Sequence, residues 1–293
     1  MSNVIDEPRV VEAGRGATWW AEGWRIFTSN FWTWIGIMII YIIITMLISL
    51  VPYIGNFGHW LLTPVFMGGL MLGCHAVTRD EPLRVAHLFE GFQGAHFVPL
   101  MIIGAVNIAL TLAIAAIAVA GVLGSLTLAD MVRLGSGNDP LDAITGTVRA
   151  ITATKLLLIL LALVIASIFA MLNWFAPALV ALQGATAVEA MKQSFRSCMR
   201  NWVPFLVYGL IAIVVFVVAI LVFGGVGLVF GAGAIFSGSA NWMAAFAVLA
   251  ILFILAMALL ALFVGPIVFG STYAGYKDTL EVDTETLDNP AYH

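Results

Sequence analysis

The chain has 293 residues, of which 62% are hydrophobic and 10% are charged, and its formal net charge is −4. Four stretches contain no Asp, Glu, Lys or Arg and together cover 201 residues: 26–78, 91–129, 156–188 and 201–276. A soluble fold needs a charged surface, whereas a charge at bilayer depth is strongly unfavourable. The composition therefore excludes a soluble globular protein and indicates a multi-spanning membrane protein.

The lengths of the uncharged stretches set the number of spans. A helix needs about 20 apolar residues to cross a bilayer. The two longer stretches each accommodate two such helices and a short turn, and the two shorter stretches each accommodate one. The sequence therefore predicts an all-α fold, a polytopic membrane helix bundle with six transmembrane helices near residues 31–51, 59–77, 97–123, 155–181, 203–229 and 241–275.

The basic residues indicate the orientation. Six spans place both termini on one side of the membrane, and nine of the 12 basic residues fall on that side. The other side holds only Arg133, Arg149 and Lys155. Because cytoplasmic loops are enriched in Lys and Arg, both termini are expected in the cytoplasm. The predicted organisation is a cytoplasmic leader, one membrane domain and an acidic cytoplasmic tail: 1–16, 17–278 and 279–293.

Three segments share one pattern: an amphipathic stretch, a polar residue, aromatic residues and then a span. They are residues 18–34, 83–99 and 186–204. Apolar residues recur in them at helical spacing: Trp20, Trp24 and Phe27; Val85, Leu88 and Phe92; Val188, Met191, Phe195 and Met199. Such helices are too short and too charged to span, but they suit the headgroup layer. The sequence predicts three repeats of an interfacial amphipathic helix and a helical hairpin, with an external insertion at 125–154: 17–78, 79–182 and 183–278.

Particular residues are expected to begin, end or bend these helices. The polar residues that follow the amphipathic stretches are predicted to cap them, with a substrate contact as the alternative: Asn30, His96 and Asn201. Thr186 with Glu189 predicts a capping box, and Asp80 is a candidate N-cap. One proline lies in the second span of each repeat and predicts a kink there, because proline removes a backbone donor: Pro64, Pro177 and Pro266.

No reactive cluster emerges from the sequence. Six potential metal ligands occur within 23 residues, namely Cys74, His75, Glu81, His87, Glu90 and His96. They lack the paired spacings of metal sites, so histidines of the headgroup layer are the favoured interpretation and no cofactor is predicted. No nucleophile with a base and an orienting group is visible, which disfavours an enzyme, and nothing indicates nucleic acid as a partner.

Two asparagines lie inside consecutive spans. Asn107 is about ten residues into the third span, and Asn173 is about eight residues from the end of the fourth. At ~1.5 Å per residue both lie ~12–15 Å deep. A cross-helix hydrogen bond within this intramembrane polar pair is the structural interpretation, and a polar pocket is the functional one.

Parts of the sequence resemble known membrane proteins. The runs RVVEAGRGATWWAEGW (9–24), FAPALVAL (175–182) and SFRSCMRNWVPFLVYGL (194–210) resemble an uncharacterised family of proteobacterial six-helix inner-membrane proteins. More distantly, PIVFGSTYAGYKD (266–278) is similar to the membrane domain found with some glycerophosphodiester phosphodiesterases. In that superfamily the last helix tends to contain a proline and to end in a Tyr-x-Asp element, here Tyr276 and Asp278. The resemblance implies no particular activity and no catalytic residue.

Function classes follow from these features. The favoured one is a non-catalytic integral inner-membrane protein that organises the membrane, interacts with lipids or binds a membrane protein or a second copy. Its expected contact residues lie on the cytoplasmic side, where anionic headgroups attract cations: Arg25, Arg196, Arg200, Tyr276 and Asp278. The alternative is a transporter or channel for a small neutral or lipidic solute, which the repeated proline interruptions favour. An intramembrane enzyme acting on lipid would need a reactive cluster.

Reporter fusions test the predicted topology. Fusions after Asn56, Gly137 and Gly238 should report from outside the cytoplasm, and a fusion after His293 should report from inside. The physical reason is the excess of basic residues on the side that holds the termini. An external C-terminus would contradict the prediction.

Overall fold

The computed structural model describes residues 7–52, 54–123, 153–236 and 242–281, and within them it forms helices without any β-strand. In chain order the helices are α1 (Arg15–Ser29), α2 (Phe31–Ser49), α3 (Ile54–Thr78), α4 (His87–Glu90), α5 (Phe97–Leu123), α6 (Ala153–Asn173), α7 (Ala176–Gln183), α8 (Ala187–Arg200), α9 (Trp202–Phe236) and α10 (Trp242–Leu280). A 3₁₀ turn, Gly94–His96, precedes α5.

Six stretches of these helices are long and apolar enough to cross a membrane: Phe31–Ser49, Phe57–Thr78, Gly94–Ile117, Leu156–Gln183, Trp202–Leu221 and Met257–Leu280. This confirms the prediction of an all-helical protein with six spans. The external insertion lies outside the described residues except for its last two positions, as do the first six residues of the leader and most of the acidic tail.

The buried core lies at one end of the bundle. There α1, α4, α7 and α8 pack against α3, α5, α9 and α10, and residues 7–14 and 273–281 lie beside them. We call this the termini end. The fourth span, in contrast to this core, is exposed, since none of its most apolar stretch is buried within the protein. Exposed apolar helix surface on that scale requires lipid as its solvent.

Close contacts at the termini end depend on glycine. A Cβ atom at Gly69 in α3 would overlap the carbonyl oxygen of His87, and one at Gly91 would overlap the carbonyl oxygen of Val65. Small residues allow backbones to approach in this way inside a membrane. Gly36 in α2 has nothing within 4 Å of its Cβ position, so it is not such a contact.

The second amphipathic segment differs from its prediction. Residues 82–92 form only the single helical turn α4, because the chain lies directly against α3 and buries Leu83 and Leu88 there. Asp80 is not an N-cap. Its φ of 59° places it in the left-handed region after α3, where Glu81 N–H donates to Ala76 O at 3.0 Å and completes a Schellman motif.

The first and third segments do form long amphipathic helices, but only part of each predicted stripe, including Phe27 and Met191, faces the protein. The buried face of α1 is Gly16, Trp19, Gly23, Ile26 and Phe27, and that of α8 is Ala187, Ala190, Met191, Ser194, Ser197 and Cys198. Three members of the predicted stripes, Trp24, Val188 and Met199, are instead 55%, 59% and 51% exposed. Close helix crossings favour small residues, and the larger apolar ones remain outside. The threefold repeat itself stays a prediction.

The three prolines do not have the same role. Pro64 and Pro266 lie inside helices α3 and α10. Pro177 is not a kink within a helix, because the fourth span is interrupted after Asn173 and Pro177 lies in the first turn of the new helix α7. Proline is tolerated in a first turn, where its missing N–H has no partner to lose.

A pair of leucine substitutions tests the packing role of glycine. Gly69→Leu should lower the melting midpoint in detergent much more than Gly36→Leu, because only Gly69 faces a backbone carbonyl. Overpacking of this kind costs on the order of 1–3 kcal/mol. Equal losses of thermal stability for the two variants would show that this crossing has no special packing role.

Candidate functional site

The carboxylate of Asp278 is the centre of a polar cluster at the termini end. Arg15 donates two hydrogen bonds of 2.6 Å to its two oxygens, and the indole Nε1–H of Trp19 donates another of 2.7 Å. Arg15 also pairs with Glu22 at 3.0 Å. The bonds to Asp278 raise the pKa of the Arg15 guanidinium. Asp278 is therefore an internal contact, unlike the exposed lipid-facing residue that the sequence suggested.

Tyr276 is also internal. Its side chain is buried, and its hydroxyl accepts a hydrogen bond of 2.9 Å from Nε2 of Gln183. The same Gln183 nitrogen donates to the carbonyl oxygen of Leu280 at 2.8 Å. These bonds fasten α7 to the end of α10, so the Tyr-x-Asp element stabilises the helix bundle. Both side chains have hydrogen-bond partners within the protein, and a contact with lipid or a partner stays a prediction.

Asn201 connects α8 with the leader. Its side chain is 1% exposed, and its Nδ2 donates to Ser197 O at 3.0 Å, which is the predicted cap. The same amide donates to Arg9 O at 2.9 Å and accepts from Val11 N–H at 2.9 Å. The Asn201 side chain therefore bonds the backbone of residues 9–11 in the way that a neighbouring β-strand would. This second role has no local sequence signal.

Of the other two predicted caps, Asn30 is the C-cap of α1, since its backbone N–H donates to Phe27 O at 3.3 Å. Its side-chain Nδ2 donates to Ser29 Oγ at 3.3 Å. His96 lies 3.3 Å from Val180 O through Nδ1, a bond in which the ring nitrogen is the donor. His96 therefore connects the start of the third span with α7 and caps neither neighbouring helix.

The histidines of the predicted cluster make separate contacts. His75 Nδ1 lies 2.9 Å from the Tyr273 hydroxyl, whereas His87 Nδ1 accepts from Arg84 N–H at 3.0 Å. Within the described ranges, no three His, Cys, Asp or Glu side chains are arranged to hold a metal ion. Outside this cluster, burial raises the pKa of Cys198 in α8 to about 12, which favours the protonated thiol.

A second group of cations at the termini end is exposed. Where the structure describes the chain, six basic side chains are exposed and have no hydrogen bond or salt bridge from the charged group: Arg25, Arg79, Arg84, Lys192, Arg196 and Lys277. Arg200 differs from the sequence-based expectation, because it pairs with Glu7 at 2.9 Å and donates to Pro8 O at 3.1 Å. The guanidinium of Arg200 is therefore bound by the leader.

The exposed side of α8 is divided into two strips. Successive residues of a helix are rotated by about 100°, so Val188 and Met199 fall on one edge, next to the buried face of small residues. Lys192 and Arg196 follow on the adjacent strip, farther from the protein. A helix with this order of faces can touch the protein, the acyl chains and the headgroups at once.

The intramembrane asparagines do not form the predicted hydrogen bond with each other. The side-chain oxygens Oδ1 of Asn107 and Asn173 are both buried and both without a hydrogen-bond partner in the part of the chain that the structure describes. Asn173 uses its Nδ2 to donate to Phe169 O at 2.9 Å, one turn back in its own helix. Gln193 Oε1 and Ser197 Oγ in α8 likewise have no hydrogen-bond partner among the described residues.

Substitution of Asp278 tests its role. Asp278→Asn should lower the unfolding free energy in detergent by about 1.5–3 kcal/mol, the usual worth of hydrogen bonds to a charged group, because it weakens both bonds from Arg15. Glu22→Gln is the matched control, since Glu22 accepts a single longer bond from the same Arg15. A loss for Glu22→Gln as large as that for Asp278→Asn would contradict the central position of Asp278.

Comparison with known proteins places the chain in a family. No family model matches it, and no solved structure matches it. A protein of Burkholderia thailandensis, named "Probable inner membrane protein", is 31% identical over 204 residues, which cover 69% of this chain and 73% of that protein. The name places that protein in the inner membrane. The six helices of this chain that are able to span a membrane agree with such a location. The chain belongs to the same family of multi-pass inner-membrane proteins as this Burkholderia protein.

Proposed function

We propose that this inner-membrane protein is non-catalytic and that it holds anionic lipid headgroups against α1 and α8 at the cytoplasmic face. The observation that carries the proposal is the exposed side of α8, where Lys192 and Arg196 have no partner among the described residues and lie beside exposed Val188 and Met199. Cations next to a short apolar edge suit the boundary between headgroups and acyl chains.

Helix α1 supports the same assignment. Its buried face packs against α10, with Gly23 close to Ser271, and Trp24 is exposed on one edge. Arg25 is exposed farther round the helix. Trp favours the headgroup layer, so Trp24 and Arg25 suit the same depth as the two strips of α8.

The contacts that fasten the two helices favour preorganised binding. Arg15 and Trp19 bind α1 to Asp278 of α10, and Asn201 binds the end of α8 to the leader. A helix held in this way keeps its cations in place before a lipid arrives, so little entropy is lost on binding. Flexible basic tails lack this advantage.

The proposed orientation places the termini end in the cytoplasm. Six unpartnered cations lie at that end within the described residues, and an excess of Lys and Arg is typical of the cytoplasmic side. The inner leaflet carries anionic lipids, so its surface potential attracts these cations. A distant relation to the membrane domain found with some glycerophosphodiester phosphodiesterases is part of this proposal.

Neutralisation of the free cations tests the proposal. The triple variant with Arg25→Gln, Lys192→Gln and Arg196→Gln should retain less phosphatidylglycerol after extraction from mixed vesicles into mild detergent. At ~1 kcal/mol for each cation near the surface, each change should weaken retention roughly 5-fold. Native mass spectrometry measures the bound phosphatidylglycerol relative to phosphatidylcholine.

Arg200→Gln is the matched control. It removes one positive charge from the same helix, but Glu7 and Pro8 O already occupy that guanidinium, so phosphatidylglycerol retention should change much less. Retention that is unaffected by the triple variant, or an equal loss of both lipids, would overturn the proposal.

A further inference from the structure

The leader holds the guanidinium of Arg200 at the end of α8. Nη2 of Arg200 pairs with the carboxylate of Glu7 at 2.9 Å, and Nη1 donates to Pro8 O at 3.1 Å. We propose that this contact is autoinhibitory: Glu7 competes with anionic lipid headgroups for Arg200 and so limits lipid binding by α8. This inference rests on the proposed function and adds a means of regulating it.

Arg200 continues the row of cations on α8. Lys192, Arg196 and Arg200 recur every four residues, and residues at this spacing are neighbours on a helix surface. Met199 and Trp202, which are close to Arg200 in sequence, are both exposed. Trp favours the headgroup layer, so the Arg200 guanidinium suits the depth of lipid phosphates. A headgroup bound to Arg196 therefore lies within one helical turn of Arg200.

The salt bridge between Glu7 and Arg200 is weak enough for a headgroup to replace it. The side chains of Arg200 and Glu7 are 45% and 85% exposed, and salt bridges at such exposure contribute little to stability. Within the described part of the chain, Glu7 makes no other hydrogen bond or salt bridge. A displaced Glu7 carboxylate is solvated by water, whereas a lipid phosphate offers the guanidinium a bidentate pair. The exchange therefore costs little.

The leader backbone is fastened independently of Glu7. Asn201 donates to Arg9 O at 2.9 Å and accepts from Val11 N–H at 2.9 Å. These bonds involve neither the Glu7 carboxylate nor the Arg200 guanidinium, so they persist when the salt bridge opens. The short tether keeps the carboxylate near Arg200 and gives it a high effective concentration against lipid. Glu7 thereby determines how much anionic lipid is needed before Arg200 takes part in binding.

Removal of the Glu7 carboxylate tests the contact. Glu7→Ala should raise the retention of phosphatidylglycerol relative to phosphatidylcholine roughly 5-fold, because it frees one cation near the surface. Native mass spectrometry after extraction from mixed vesicles measures the bound lipid. Glu12→Ala is the matched control, since it removes one negative charge from the same leader, but the exposed Glu12 side chain pairs with no cation among the described residues. No gain for Glu7→Ala, or an equal gain for Glu12→Ala, would overturn the proposal.

A double-mutant cycle shows whether the gain depends on Arg200. In an Arg200→Gln background, Glu7→Ala should leave phosphatidylglycerol retention unchanged, because the cation that it would free is absent. A gain that persists in this background would indicate a general effect of charge and would overturn the proposal. The triple variant of Arg25, Lys192 and Arg196 separates the two proposals. If it loses phosphatidylglycerol while Glu7→Ala gains none, this inference alone fails; if it loses none, the proposed function fails.

A distance measurement on the wild-type protein tests the competition directly. In phosphatidylcholine nanodiscs, solid-state NMR should detect the dipolar contact between the Glu7 carboxylate carbon and the Arg200 guanidinium nitrogens. In phosphatidylglycerol nanodiscs this contact should be weaker, because two groups that compete for one cation must each reduce the binding of the other. Contacts of equal strength in the two lipids would overturn the proposal.

Discussion

The ion pair between Arg15 and Asp278 joins the first helix of the chain to the last, across 263 positions. It forms where α1 crosses α10, a crossing so close that Gly23 and Gly270 face each other across it. A charged pair can persist at the edge of an apolar bundle only when its remaining donors and acceptors are also satisfied, and Trp19 and Glu22 provide those contacts. The position of α1, and with it that of the leader, depends on this cluster.

Each long amphipathic helix has two apolar surfaces, one that packs against the protein and one that is exposed. The small residues of α8, such as Ala190 and Ser194, allow close contact with the bundle. The larger residues Val188 and Met199 remain exposed, which would be unfavourable in water and is suited to acyl chains. A hydrophobic stripe in a membrane protein therefore does not identify the face that packs against protein, because lipid is an equally apolar environment.

Polar groups inside the membrane region need hydrogen-bond partners within the protein. Most of those that the structure describes are paired within the protein: Ser194 with the broken span, Tyr276 with Gln183, and His96 with Val180 O. The lipid offers no replacement for a missing partner, so a buried acceptor without one is costly. The side-chain oxygens of Asn107 and Asn173 depart from this pattern, since both are buried and neither has a partner among the described residues.

The sequence alone determined the class of the protein and the number of spans, because long uncharged apolar stretches have only one favourable solvent. It also identified the capping box of Thr186 and Glu189, since that motif depends on neighbours three residues apart. Local periodicity did not show which face of α8 would be buried or that residues 82–92 would form only one turn, since both depend on the helix that lies opposite. The roles of Asp278, Tyr276 and Asn201 depend on Arg15, Gln183 and Arg9, which are distant in the sequence. Only the tertiary structure decided these partners, because a hydrogen bond depends on distance in space and leaves no pattern in the chain.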